Sequence, residues 1–339
     1  MSGFTRRTRE VREAEERQRL APLATLSIAS RGRLRDEQPD EYRTAFERDR
    51  DRIMHSKAFR RLKHKTQVFI NPEGDHYVTR LTHTIQVTQI ARALAAALSL
   101  NEALAEAIAL GHDVGHSPFG HTGEEALSPY FPPDGWHHAA QSVRTFEALE
   151  DLNLSWEVRD GIRAHSWKIE PPPATPEALC VRYADRIAYL THDALDAARA
   201  GVLSFADFPS AVQRRFGEPG RGWIGAMITA VVDESMAAGE LRMEPATLEV
   251  MNELREFMFR NVYMADKQVE HQQGAIEIIR RLVDHHLAHL DELPASIRRT
   301  GDEPLQQVVD YVAGMTDRFA VATYERLFGA APLRADGAG

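Results

Sequence analysis

The segment 103–124, ALAEAIALGHDVGHSPFGHTGE, constrains this chain more than any other. Leu104 and Ile108, with Ala105 and Ala109, recur at helical spacing and describe a buried helix whose last turn is Gly111-His112-Asp113. Neighbouring side chains on a helix point roughly 100° apart. An adjacent imidazole and carboxylate can therefore serve one ion only where they close over it at a helix end. His116 and His121 follow, set out along a loop by Gly115, Ser117-Pro118 and Gly120. Three histidines and an aspartate so close together are poor core material, and the segment reads as a chemical site.

The rest of the chain reads as helical almost throughout, giving an all-α expectation. Residues 40–62 carry Phe46, Ile53, Phe59 and Leu62 as the apolar markers of one amphipathic helix. Residues 66–70 suit a short strand closed by the turn signal Asn71-Pro72-Glu73-Gly74. From 81 to 98 the pattern is strongly helical, and His83, Val87, Ile90 and Leu94 make one inward stripe. Taken alone, His83 is a satisfied core histidine. Segment 128–138 reads as loop, 139–150 as helix, and PPPATP (171–176) as an exposed breaker. Pro176 then opens a helix with Leu179, Tyr183, Ile187, Leu190 and Ala194 as its core stripe. Asp185, Tyr189 and Asp193 stand a turn apart on another face, ordinarily a solvated one. Further helical blocks cover 223–238, 245–264, 267–292 and 303–328. Histidines 271, 285, 286 and 289 are expected to face solvent, and the tail 333–339 to be disordered.

Composition excludes several classes. The 339 residues are 43% hydrophobic and 27% charged, an ordinary globular balance. No apolar run approaches the ~20 residues of a membrane span, and the charged start lacks the apolar stretch of a secretory signal. Cys180 is the only cysteine, which rules out an intramolecular disulfide and suits a reducing cytoplasm. Any metal must then be held by nitrogen and oxygen. A net charge of −9 disfavours non-specific nucleic-acid binding by the whole surface. Residues 31–65, however, hold twelve Lys/Arg against seven Asp/Glu. Its 43–51 portion reads equally as a solvated helix laced with ion pairs. The stretch FRRLKHKTQVF (59–69) has cations without local partners, suited to phosphates of a nucleotide or a nucleic-acid backbone.

His83, His112, Asp113 and Asp185 offer two nitrogens and two carboxylates from three helices, a donor set for a hard or borderline cation. This order of a lone His, a His-Asp pair and a distant Asp resembles the HD superfamily of metal-dependent phosphohydrolases. RLTHT (80–84), GHDVGHSPFGHTGE (111–124), HAAQS (138–142) and YADRIAYLTHD (183–193) resemble the bacterial deoxyguanosinetriphosphate triphosphohydrolase family. So do SRGR (30–33), RTAFERDRDRIMHSKAFRRL (43–62) and KTQVF (65–69). The likeness is detailed over residues 20–200.

The resemblance implies an all-α HD-domain fold with additional C-terminal helices. It divides the chain into an arginine-rich N-terminal segment (1–60), an HD domain (61–205) and a C-terminal helical region (206–330). The implied reaction converts a deoxynucleoside triphosphate (dNTP) and water into a deoxynucleoside and inorganic triphosphate. His83, His112, Asp113 and Asp185 would hold a divalent metal, Mg or Mn first, with Fe, Co, Ni or Zn as alternatives. The same likeness puts His121 near the scissile bond with Glu124 orienting it, and His116 and His138 on the phosphates. Arg80 would reach the phosphate chain, Tyr189 the sugar, and Gln67 the sugar or base. Implied partners are the dNTP substrate, an effector dNTP, single-stranded DNA and further copies of the chain in a hexamer or tetramer, with no membrane. Two rivals stand beside this reading: another HD hydrolase, such as a 5′-nucleotidase or nucleotide phosphodiesterase, and a non-catalytic nucleotide or single-stranded nucleic-acid sensor.

Overall fold

The computed structural model describes residues 3–67, 78–199, 201–263, 266–298 and 301–333. Its α-helices are α1 (Arg9–Arg19), α2 (Ala45–His55), α3 (Lys57–Arg61), α4 (Arg80–Ala97), α5 (Glu102–Gly111), α6 (His121–Leu127), α7 (His138–Arg144), α8 (Trp156–Arg163), α9 (Pro176–Arg199), α10 (Ser210–Phe216), α11 (Arg221–Ala238), α12 (Pro245–Met258), α13 (Asp266–Ala288), α14 (Pro304–Ala313) and α15 (Asp317–Phe328). The all-α expectation holds: among the described residues pairing is confined to two isolated bridges, Arg33 with Ser155 and Thr66 with Thr79.

Local chemistry sets the helix starts. The Asn101 side chain accepts from Leu104 N at 3.3 Å and opens α5. Thr79 and Thr82 exchange bonds at the start of α4, with Thr79 N donating to Thr82 Oγ1 at 2.8 Å. Three of these helices form the centre of the main core. Val87, Ile90 and Leu94 of α4 pack with Leu104 and Ile108 of α5 and with Val181, Ile187 and Leu190 of α9. Each such side chain contributes about 1.5–3 kcal/mol on burial. Trp223, Met227, Met251 and Leu254 extend this core through α11 and α12. A second core joins α13, α14 and α15 through Ile278, Leu282, Val308 and Val312, and takes in Leu127 of α6 and Trp136 just ahead of α7.

Several sequence expectations need correction. The helix expected over 40–62 is two. Ser56 adopts an extended conformation, ends α2 and accepts from Phe59 N at 3.1 Å to start α3. Glu150 then takes the freed Lys57 N at 2.8 Å and Ala58 N at 2.6 Å. Helix 139–150 starts at His138 and finishes in a π-helical turn, Thr145–Leu149. Block 245–264 likewise passes from α12 into the π turn Phe259–Tyr263. Of the strand expected at 66–70, Thr66 makes one isolated bridge; residues 68–70 and the turn 71–74 lie outside the described residues, as does the tail 334–339. His286 does not face solvent but is buried, and only His289 of its group is exposed.

The basic segment is also more internal than its composition implied. Arg43 pairs with Asp51 at 3.0 Å, Arg50 with Asp51 at 2.8 Å and Arg52 with Glu37 at 2.7 Å. Lys65 is buried, its Nζ donating to His116 O and, at 2.8 Å, to Ala313 O. Arg33 meets the fully buried Asp49 and donates to Asn153 O at 2.7 Å and Ala45 O at 3.0 Å. Asp49 also accepts from Ser155 N at 2.8 Å. Removing one partner of a buried pair strands the other charge. Arg33→Ala is therefore expected to lower the unfolding free energy by about 3–5 kcal/mol, read from urea midpoints; a shift within error of zero would show that Asp49 is satisfied without it.

Candidate active site

The first turn of α4, the C-terminal end of α5 and the middle of α9 meet at one point, bringing together His83, His112, Asp113 and Asp185. His83 Nε2 lies 3.1 Å from Asp185 Oδ1 and 4.0 Å from Asp113 Oδ2. His112 Nε2 lies 3.4 Å from Asp113 Oδ1 and 3.8 Å from Asp185 Oδ1. Because α5 ends at Gly111, the Ala109 carbonyl is free to accept the His112 Nδ1–H at 2.6 Å. That bond fixes the tautomer and leaves Nε2 as a lone pair. This atom is buried without a hydrogen-bond partner. A lone pair aimed at two carboxylates from inside a core is repulsive unless a cation stands between them. His83, His112 and Asp113 each present a donor atom within 4.8 Å of the others. The residues fit a divalent metal.

Electrostatics agree. Burial opposes ionisation of Asp185, but the His83 hydrogen bond and the nearby His112 outweigh it and hold its carboxyl at about 2. Burial likewise opposes ionisation of Asp113, while His112, Arg80, His116 and His83 draw it well below the ordinary range. Arg80 is itself buried and donates Nη1 to Asp113 Oδ2 at 2.6 Å; its Nε and Nη2 have no hydrogen-bond partner. Gly120 makes room for that guanidinium. It sits at φ +60°, and a Cβ there would stand 2.6 Å from Arg80 Nη2. Gln67 lies on the same side, its backbone oxygen 3.4 Å from that position and its own Oε1 buried without a hydrogen-bond partner.

A second cluster adjoins the first. His116 stacks on His138 with ring centroids 3.7 Å apart, and His116 Nε2 is 3.5 Å from Asp113 Oδ1. Close approach of the loop to α7 depends on Gly115, where a Cβ would fall 2.2 Å from Ser142 N. Glu124 Oε2 faces both His121 Nδ1 at 3.1 Å and His138 Nδ1 at 3.0 Å. Burial works against the Glu124 anion, yet His138 and His121 keep its carboxyl far below the usual range. Burial pushes His116 well down, helped by Arg80. The His121 side chain is 78% exposed, so its remaining nitrogen is free to reach a substrate.

Sequence reading missed His165. It lies two residues past the end of α8, and like His112 it bonds through Nδ1–H to the carbonyl three residues back, Ile162 O at 2.8 Å. Its Nε2 is 3.1 Å from His138 Nε2, and its ring is 5.0 Å from that of His112. Burial, with His112 beyond it, brings His165 down to about 3. The His165 Nε2 is then an acceptor, and both nitrogens of His138 face acceptors. The shared signal is a histidine just past a helix end, three residues after an unpaired carbonyl. On the α9 side, Tyr189 is half-buried beside Asp185. One turn on, Asp193 accepts from Tyr263 Oη at 2.5 Å, and burial raises its carboxyl to about 7.

No described helix is long and apolar enough to cross a membrane. Residues 80–190 match the HD domain and 241–326 the phosphohydrolase-associated domain. The chain is 45% identical to a deoxyguanosinetriphosphate triphosphohydrolase-like protein of Caldanaerobacter subterraneus subsp. tengcongensis, over 95% of this chain and 96% of that one. It is 45% identical to the protein of the same description from Desulfatibacillum aliphaticivorans, over 96% and 99%. A third, from Clostridium perfringens, is 41% identical over 94% and 97%. With its helical HD core and clustered histidines and carboxylates, the chain is a hydrolase that belongs to the deoxyguanosinetriphosphate triphosphohydrolase-like family.

Proposed function

We propose that this protein hydrolyses deoxynucleoside triphosphates, dGTP among them, to deoxynucleoside and inorganic triphosphate. The observation that carries the reading is the adjacency of two clusters that share Asp113. One groups His83, His112 and Asp113 with Asp185 beside both imidazoles; the other offers the exposed His121 backed by Glu124. A divalent metal held by His83, His112, Asp113 and Asp185, Mg²⁺ or Mn²⁺ first by the family likeness, would supply charge neutralisation at a phosphate and a more acidic water.

The chain's own residues do the rest. His116 and His138 present imidazoles to the phosphates, and Arg80, with Nε and Nη2 free of hydrogen bonds, supplies fixed positive charge behind them. Tyr189, half-buried beside Asp185, packs against the sugar and disfavours a ribose 2′-hydroxyl, and Gln67 offers an amide to the sugar or base. His121 gives a proton to the departing 5′-oxygen, and Glu124 sets which ring nitrogen carries it. The new bond joins the water oxygen to the α-phosphorus, and the bond that breaks is α-phosphorus to O5′.

In ¹⁸O-labelled water, mass spectrometry of the products is expected to find the label in triphosphate and none in the nucleoside 5′-hydroxyl. Deoxynucleoside monophosphate with pyrophosphate, or diphosphate with orthophosphate, would each sink the assignment of His121 to O5′.

A further inference from the structure

The last turn of α13 repeats, on the side of the molecule formed by the second core, the arrangement seen at the end of α5. His285 and His286 are adjacent where the helix runs out at Ala288, and the short 3₁₀ turn Leu290–Glu292 brings a carboxylate back over them. His285 Nε2 is 2.9 Å from Glu292 Oε2. His286 is 2% exposed, and neither of its ring nitrogens has a hydrogen-bond partner. One nitrogen from each histidine and one Glu292 oxygen lie within 4.8 Å of one another. A buried imidazole with no partner is a group left unsatisfied, and native interiors rarely tolerate that.

We propose that His285, His286 and Glu292 form a second, structural metal site for a divalent transition ion of the zinc class. Three observations converge on it. The donor set is two imidazoles and one carboxylate, which suits Zn²⁺, Cu²⁺ or Ni²⁺ over Mg²⁺ or Ca²⁺. The carbonyl end of a 23-residue helix attracts positive charge. Glu292, 44% exposed on its side chain, leaves a way in from solvent. The ion would pin the end of α13 where His286 meets Tyr311 edge-on at 5.1 Å and His285 meets Phe328 at 5.7 Å. The site shares no residue with the proposed catalytic centre, so its occupancy is separable from turnover.

The test counts metal on the full-length chain after equilibration with Zn²⁺ and removal of excess, by inductively coupled plasma mass spectrometry. To silence the catalytic position, Asp185→Ala is the background. One equivalent is expected to remain there and to disappear in His285→Ala and in Glu292→Gln, with circular dichroism unchanged. Cu²⁺ on the same background is expected to show coupling to two imidazole nitrogens in electron paramagnetic resonance, a signal lost in His285→Ala. No zinc on the Asp185→Ala chain would overturn the proposal, as would zinc that both further substitutions leave in place.

Discussion

Asp185→Ala, and separately His112→Ala combined with Asp113→Ala, are expected to strip the divalent ion proposed for this site and to lower turnover by about 10³–10⁴ or more. The magnitude follows from the several kcal/mol of charge stabilisation such an ion supplies, at a factor of ten per ~1.4 kcal/mol. The geometry makes loss of either acid damaging. Asp185 Oδ1 is nearer His83 Nε2 than the Asp113 carboxylate is, and it also faces His112 Nε2. Without it, two imidazoles from different helices lose the anion that holds them to one point. The folded core should survive, because Asp185 stands on the half-buried face of α9 while Val181, Ile187 and Leu190 fill the core from the other. Arg80 would lose its carboxylate partner in the Asp113 variant and not in Asp185→Ala, so that pair of variants separates metal loss from loss of a buried ion pair. Metal content by plasma mass spectrometry and turnover with each dNTP are the readouts. A chain that kept its metal at the catalytic point after both changes would remove these residues from the ligand set.

How much of this was legible in the sequence depended on distance along the chain. His112 and Asp113 were readable because adjacency at a helix end, followed by glycines, is a local signal. His83 and Asp185 were not readable one by one: each sits in an ordinary amphipathic helix, and only the ordered series gave them a role. His165 was missed because its partners, His138 and His112, are brought to it by the packing of α7 and α8, and its one local mark, a place just past a helix end, comes without the adjacent carboxylate that sets His112 apart. The break at Ser56 was legible in principle, a serine with its acceptor three residues ahead of a backbone donor, but the apolar spacing of Ile53, Phe59 and Leu62 runs on across it. Lys65 is the plainest failure of composition. A lysine in a basic run reads as a phosphate contact, yet two backbone carbonyls from loop and α14 draw its ammonium inside, where burial brings it to about 7. Charge counting cannot see carbonyls.

His121→Ala is expected to leave the metal bound and the Michaelis constant within a few-fold, while turnover falls by about 10²–10⁴, the usual scale for one general acid or base. Its side chain is the exposed member of a buried group: 78% accessible, against 13% for Glu124 and 6% for His138. Removing it therefore opens no cavity and strands no buried charge, since Glu124 keeps His138 at 3.0 Å. What disappears is the one imidazole whose second nitrogen can reach out of the site. Glu124→Gln tests the same idea from behind. An amide still accepts one hydrogen bond, but it cannot hold a carboxylate's charge against both His121 and His138, so turnover should fall with metal content unchanged. The two changes act on one proton transfer and are expected to be strongly non-additive, the double variant being little slower than His121→Ala alone. Fully additive losses would mean that Glu124 works through His138 and not through His121, and an effect of His121→Ala confined to the Michaelis constant would make that imidazole a binding group only.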